Sequence, residues 1–319
     1  MTPASFPTTP DISNTVSSLQ AVGNSLLTLR LNELTDETVD MLTEQFNTVL
    51  QPLVDEMRAS DPKRRLQLRS MMSDFALRGQ IQQRMLAKPQ GYSGDYLTLD
   101  WLYQQPYEGS RVDDIWNRFM YRNQASRAVR ARIDIVRELI TETIGSAQGP
   151  VRMLDVASGP GRIERTVIDE LTDPDYAVSI DLVDADSDAV EYSQALLADD
   201  VPHGYSFSFH HRNAFRFEPS GRYDAIWCCG LFDYLDERLA VHLLKKLHGW
   251  LKPEGTLLVG NFSPACASQH LMEGLYDWTL IFRTEDEFRQ LALSAGLHPD
   301  DFTLQSDPTD SVILLKVRS

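Results

Sequence analysis

"VRMLDVASGPGRIERTVIDEL", Val151 to Leu171, decides the fold of this chain. It opens as a short apolar run and continues as a helical stretch, so a strand turns into a helix within it. Asp155, Gly159 and Gly161 lie at that turn. Glycine lets the backbone turn tightly and lets a ligand approach it closely. Taken alone, such a turn says little, because many α/β proteins use one only to turn.

The surroundings add to it. After Val151 come further short runs rich in β-branched and aromatic residues: "VSIDLVDA", "YSFSFHH", "YDAIWCCG" and "GTLLVGNF". Helical stretches separate them. Strands alternating with helices predict right-handed βαβ units and a parallel sheet. The end differs. "FTLQS", "DPTD" and "SVILLKVRS" read as two strands about an Asp-Pro turn, a terminal antiparallel hairpin. Before residue 146 the pattern is helical. Val39, Leu42, Phe46, Val49, Leu50 and Leu53 recur at three- and four-residue steps behind Thr35 and Asp36, which are candidate N-caps. "RRLQLRSMMSDFALRGQIQQRML" continues in that style. One long helix is expected to begin at Ile115, Phe119 and Met120 and to carry Val129, Ile133, Val136 and Ile140. The expected division is a loose polar tail over 1–13, a helical region over 14–145 and an α/β domain over 146–319.

The second strand ends "LVDAD", placing Asp184 23 residues after Gly161. An acid about 20 residues beyond a glycine turn takes a ribose hydroxyl pair in dinucleotide-type folds, since two hydroxyl donors need a bidentate acceptor. Asn213 follows the third strand in "RNAF", where an amide can meet an adenine edge. The turn lacks the third glycine of a dinucleotide fingerprint and the Gly-Lys-Ser/Thr of a phosphate loop. An acid before the turn, Asp155, suits a cationic ligand better than a pyrophosphate. S-adenosylmethionine carries both a sulfonium and an ammonium.

"LDVASGPGR", "LVDADSDAVEYSQ", "RNAF", "YDAIWCCGLFDYL" and "LKPEGTLLVGNF" come in the order and at the spacings of class I S-adenosylmethionine-dependent methyltransferases, which residues 150–319 resemble. The resemblance implies a Rossmann-like doubly wound α/β sheet with an N-terminal helical lid, and S-adenosyl-L-methionine as cofactor. It implies that Asp155, Ala157, Ser158, Gly159, Pro160 and Gly161 form the methionine-side loop. Asp184 and Ala185 would hold the ribose, and Asn213, Ala214 and Phe215 would border the adenine. Gly230, Leu231 and Phe232 would border the sulfonium and substrate.

"KPQGYSGDY", Lys88 to Tyr96, together with "LMEGLYDWTLIFRTEDEF" downstream, resembles a bacterial methyltransferase subfamily described as 3-hydroxypalmitic acid methyl ester biosynthesis proteins. That resemblance implies methylation of a fatty-acid carboxylate. Gly91 and Gly94 would let backbone pack on the cofactor, and Asp95 would pair with its ammonium. Tyr92 and Tyr96 would offer ring faces to a sulfonium, a cation–π contact of roughly 0.5–2 kcal/mol. Tyr92, Tyr96 and Trp278 are the expected pocket walls, and Arg283 the group that orients the acid. The competing reading of the element is a tight turn with both tyrosines in the core. Two other functions stay open: cyclisation of the cofactor to azetidine-2-carboxylate with methylthioadenosine leaving, and a scaffold that binds cofactor without catalysis.

Composition removes other classes. A net charge of −16 repels phosphate backbones and anionic lipid, so no nucleic-acid partner is expected. No stretch approaches the ~18 apolar residues of a membrane span. The start lacks a signal-peptide pattern. Cys228, Cys229 and Cys266 make no disulfide framework, as in a cytoplasmic protein. No histidine spacing suggests a metal. Oligomeric state is open, with a homodimer as candidate, and the expected partner is a small-molecule acid.

Overall fold

The computed structural model describes residues 12–70, 78–104, 111–171, 173–199 and 201–319. The expected tail over 1–13 lies almost wholly outside them, as do residues 71–77 of the expected second helical run.

Among the described residues seven α-helices precede the first strand: α1 (Ile12–Thr28), α2 (Asp36–Ala59), α3 (Pro62–Ser70), α4 (Gln80–Ala87), α5 (Tyr96–Gln104), α6 (Arg111–Arg122) and α7 (Gln124–Ser146). Thr35 caps α2 by accepting the Thr38 N–H at 3.2 Å, and the expected stripe from Val39 to Leu53 faces inward, with Val49 half-buried. The single long helix expected from residue 115 is two helices. The break falls at the buried Asn123, whose amide turns back to Met120 Sδ at 3.0 Å. Asparagine offers the backbone such local alternatives to a helix.

The rest of the chain runs β1 (Val151–Val156), α8 (Arg162–Glu170), β2 (Val178–Asp184), α9 (Ser187–Leu196), β3 (Tyr205–His211), β4 (Tyr223–Cys228), α10 (Glu237–Gly249), β5 (Leu251–Phe262), α11 (Gln269–Tyr276), α12 (Glu285–Ser294), β6 (Phe302–Ser306) and β7 (Val312–Arg318). The chain forms two compact units. The first holds Met1–Ser93, Pro106–Asn123 and Ala267–Thr279; the second holds Gly94–Gln105, Gln124–Cys266 and Leu280–Ser319.

In the first unit α11 packs on α2. A Cβ on Gly274 would meet Val54 and Leu50 side chains at 3.0 and 3.1 Å, so the helices approach closely there. Arg58 forks onto Glu273 through two hydrogen bonds of 3.0 and 2.6 Å. The two stretches that suggested the subfamily meet in this unit. Lys88 Nζ donates to the Asp277 carbonyl and carboxylate at 2.8 and 2.6 Å, and Ser93 Oγ donates to the Tyr276 carbonyl.

The second unit is a seven-stranded sheet in the order β3-β2-β1-β4-β5-β7-β6. The first five strands pair in parallel, and β7 lies antiparallel between β5 and β6. This is the doubly wound sheet with a terminal hairpin that the pattern predicts. The hairpin turn is fixed by Asp307, whose Oδ1 accepts the Ser311 and Val312 N–H groups at 2.8 Å each. One face of the sheet, with Leu154, Val156, Ile226, Leu257, Val259 and Leu315, packs under α10 and α12. From β1 the chain winds outward to β3 and then returns to β4. The carboxyl ends of β1 and β4 therefore diverge, and ligands in such sheets bind at that switch point. No helix among the described residues is long and apolar enough to cross a membrane.

Candidate functional site

Beyond β1 the backbone enters a run of left-handed conformations: Ala157 at φ 59°, Gly159 at 56° and Gly161 at 68°. Two groups from β2 hold it. The Val183 carbonyl accepts the N–H groups of Ala157 and Ser158 at 2.8 and 3.3 Å. Asp184 Oδ2 accepts the Gly159 N–H at 2.8 Å, and its Oδ1 accepts the Asp186 N–H at 2.9 Å. Asp184 thus braces the turn as well as standing where a ribose acceptor is expected. Burial raises its pKa above the ordinary carboxylate range, and the backbone donors offset part of that. At Gly161 a Cβ would lie 2.9 Å from Ser193 Cβ on α9. Gly161→Ala adds that overlap to the strain of a left-handed residue and is expected to destabilise the protein by about 2–3 kcal/mol; the shift in the urea unfolding midpoint measures it.

Gly94, Asp95 and Tyr96, the end of the Lys88–Tyr96 element, belong to this unit and lead into α5. Leu99 Cδ1 would stand 3.8 Å from a Cβ on Gly159, so α5 lies against the turn. Asp100 accepts from Arg162 Nε at 2.7 Å and from the Tyr192 hydroxyl at 2.6 Å, tying α5 to α8 and α9. The rings of Tyr96 and Tyr192 pack with centroids 5.3 Å apart. Asp95, expected to meet a ligand ammonium, is the N-cap of α5 and accepts the Thr98 N–H at 2.8 Å.

Behind the turn the sheet face opposite α10 carries a buried polar group in which Asp155 was expected from the sequence and Glu164, Arg132, Tyr103 and Asp233 were not. Asp155 and Glu164 are 4% and 0% exposed. Burial raises the Asp155 pKa well above the carboxylate range, and the Glu164 carboxyl raises it further. Glu164 is raised too, again by burial first. The Trp227 indole N–H lies near enough to ease both, yet among the described residues no donor reaches either Glu164 oxygen in good hydrogen-bond geometry. The charges of both acids, of Cys229 and of Arg132 act on the Tyr103 phenol, whose pKa burial pushes up. Asp233 accepts the Phe262 N–H at 2.6 Å, and burial lifts its pKa to about 7 against the pull of Arg132 and Arg283. Burial likewise pushes the Cys229 thiol to about 12. One signal was there to be read: Arg132 sits on the apolar stripe of α7 between Val129 and Val136, where a cation has no ordinary reason to be.

The remaining expected residues are distributed unevenly. Asn213 is exposed; its Oδ1 accepts the Phe215 N–H at 2.9 Å, leaving its amide hydrogens to donate. Ala214 is buried, and Phe215 stacks on His242. The Ala185 carbonyl meets the His211 ring. Pro160 is buried, and Gly230 and Leu231 are half-buried. Phe232 is fully buried, its ring packed on Phe288 of α12. Arg283 is buried and donates to the Phe232 and Leu235 carbonyls and to Asn261 Oδ1. Those acceptors make it a brace of the loop after β4. Tyr92 and Trp278 lie in the first unit, Trp278 only 6% exposed.

A family model described as a methyltransferase domain matches residues 153–255. A "possible exported protein" of Bordetella parapertussis has a similar structure, with a TM-score of 0.59 and 18% identity over 100% of this chain and 99% of its own. Magnesium protoporphyrin IX methyltransferase of Synechocystis PCC 6803, with bound S-adenosylmethionine, is 13% identical, with a TM-score of 0.46 over 70% of this chain and 95% of its own. A methyltransferase of Leishmania major is 20% identical, with a TM-score of 0.44 over 78% of this chain and 89% of its own. No curated protein matches the chain in sequence. The domain match and the strand order give the sheet unit the class I methyltransferase fold.

Proposed function

We propose that this chain, with a methyltransferase domain across residues 153–255, is an S-adenosylmethionine-dependent methyltransferase acting on a small molecule, with the carboxylate of a (3-hydroxy) fatty acid as acceptor. One observation carries the cofactor reading: a left-handed turn after β1, held by the carboxylate at the end of β2, beside a buried acid pair that forms no ion pair among the described residues. In this reading the helical region over 14–145 serves as the lid and the enzyme works in the cytoplasm.

The residues suit the cofactor's chemistry. Asp155 and Glu164 offer buried negative charge to an ammonium. Asp184 keeps lone pairs for ribose hydroxyls after accepting its two backbone bonds. Asn213 retains amide donors for an adenine edge. S-adenosylmethionine, when bound, supplies an electrophilic methyl group on sulfur. The protein's part is to align the acceptor with that methyl group and to exclude water. A carboxylate, with a pKa near 4, is already a nucleophile at neutral pH and needs no general base. Its oxygen bonds to the methyl carbon as the carbon–sulfur pair passes to sulfur.

The test is mass spectrometry of the purified protein with S-adenosylmethionine, with and without 3-hydroxy fatty acids. S-adenosylhomocysteine and a methyl ester formed only with the acid are the expected products. Methylthioadenosine formed without acceptor, above its spontaneous rate, would replace this reading with cofactor cyclisation.

A further inference from the structure

Arg132 lies 7% exposed at the inner face of α7. Its Nη1 would be 3.2 Å from a Cβ on Gly230, so the guanidinium stands against the backbone just past β4, at the switch point of the sheet. Its Cζ lies 5.9 Å from the Phe262 ring centroid. It makes no hydrogen bond and no ion pair among the described residues, and its buried Nε has no acceptor. Asp233, whose carboxyl feels its charge, spends Oδ1 on the Phe262 N–H and forms no ion pair with it among the described residues. A guanidinium holds five donors in a planar fork, and burying it without an acceptor is costly. That cost persists in a fold only where something else supplies the anion. The Tyr103 phenol, within the field of Arg132, also lacks a hydrogen-bond partner among the described residues and can add a neutral donor.

We propose that Arg132, with Tyr103, is the carboxylate receptor of this site. The planar fork matches a carboxylate bidentately, and Gly230 leaves the space that a side chain would take. This rests on the methyltransferase reading, within which two ligands carry that group: the methionine end of the cofactor and the acid acceptor. With Asp155 and Glu164 in the same unit, the first source would have its ammonium and carboxylate met by opposite charges.

The test uses the full chain and the variants Arg132→Gln, Arg132→Lys and Tyr103→Phe, each checked for wild-type circular dichroism. Calorimetry with S-adenosylhomocysteine and its decarboxylated analogue reads the first source. The cofactor carboxylate is the ligand if wild type prefers S-adenosylhomocysteine at least tenfold and Arg132→Gln loses that preference while binding the analogue as before. The acceptor is the ligand if Arg132→Gln keeps that preference but loses tenfold or more in affinity for 3-hydroxypalmitate in the presence of S-adenosylhomocysteine. Arg132→Lys, which keeps charge without the fork, is expected between the two, and Tyr103→Phe to lose a few-fold. Wild-type affinity of Arg132→Gln for all three probes would overturn the proposal while leaving the methyltransferase reading standing. A wild-type protein that binds none of them would overturn both.

Discussion

Asp184→Ala is expected to lower affinity for S-adenosylhomocysteine by roughly 10²–10³-fold, read by titration calorimetry. The carboxylate does two jobs. It accepts the Gly159 and Asp186 N–H groups and so fixes the turn, and in the proposed complex it accepts the ribose hydroxyls as well. Hydrogen bonds to a charged acceptor contribute about 1.5–3 kcal/mol each, and each 1.4 kcal/mol is tenfold in affinity. Losing the ribose contacts and the preorganised turn together gives the stated range. Asp184→Asn is expected to fall close to alanine, because one side-chain donor would then face a backbone donor. The same group sets an acid limit. Its pKa is raised by burial, so affinity is lost as the pH falls toward a value above the usual range near 4. Unchanged affinity in Asp184→Ala would remove the ligand site from the ends of β1 and β2.

The sheet was legible because each strand carries its own signal. Short β-branched runs alternate with helices, and Asp307 fixes the hairpin whose turn the Asp-Pro pair announces. The glycine turn and Asp184 were legible because turn conformation and bidentate acceptance are local requirements tied to residue type. What escaped depends on packing. The break at Asn123 interrupts no apolar pattern, so the stripe from Ile115 to Ile140 reads as one helix although the chain changes unit there. Phe232 and Arg283 look available in sequence; burial under α12 and three protein acceptors engage them. The element at Lys88–Tyr96 divides after Ser93. Its start is tied to Asp277 in one unit, while its end caps and begins the helix that covers the glycine turn in the other. Glu164 reads as an ordinary first-turn helix acid until the fold sets it beside Asp155.

The acid pair makes the second large prediction, in which stability and binding move in opposite directions. Both folded-state pKa values are raised above the unfolded value near 4, by burial first and, at Asp155, by Glu164 next. For a carboxyl group so shifted, the stabilising contribution is complete below pH 4 and is lost as the pH rises through the folded values. At neutral pH the pair therefore costs stability in the free protein. Asp155→Asn removes one of the two ionisable groups and is expected to raise the unfolding midpoint at pH 7–8 without a ligand, with little change at pH 4. The same variant is expected to bind S-adenosylhomocysteine about 10²-fold more weakly, because a buried charge-assisted bond to the ammonium, of up to about 3 kcal/mol, is gone. Ligand binding should also ionise the pair. Calorimetry at pH 7 in buffers of different ionisation enthalpy is then expected to show proton release by wild type and less by Asp155→Asn, where only Glu164 is left to ionise. A binding enthalpy independent of buffer, with affinity unchanged in the variant, would mean that the pair meets no cation and serves only the packing of α8 on the sheet.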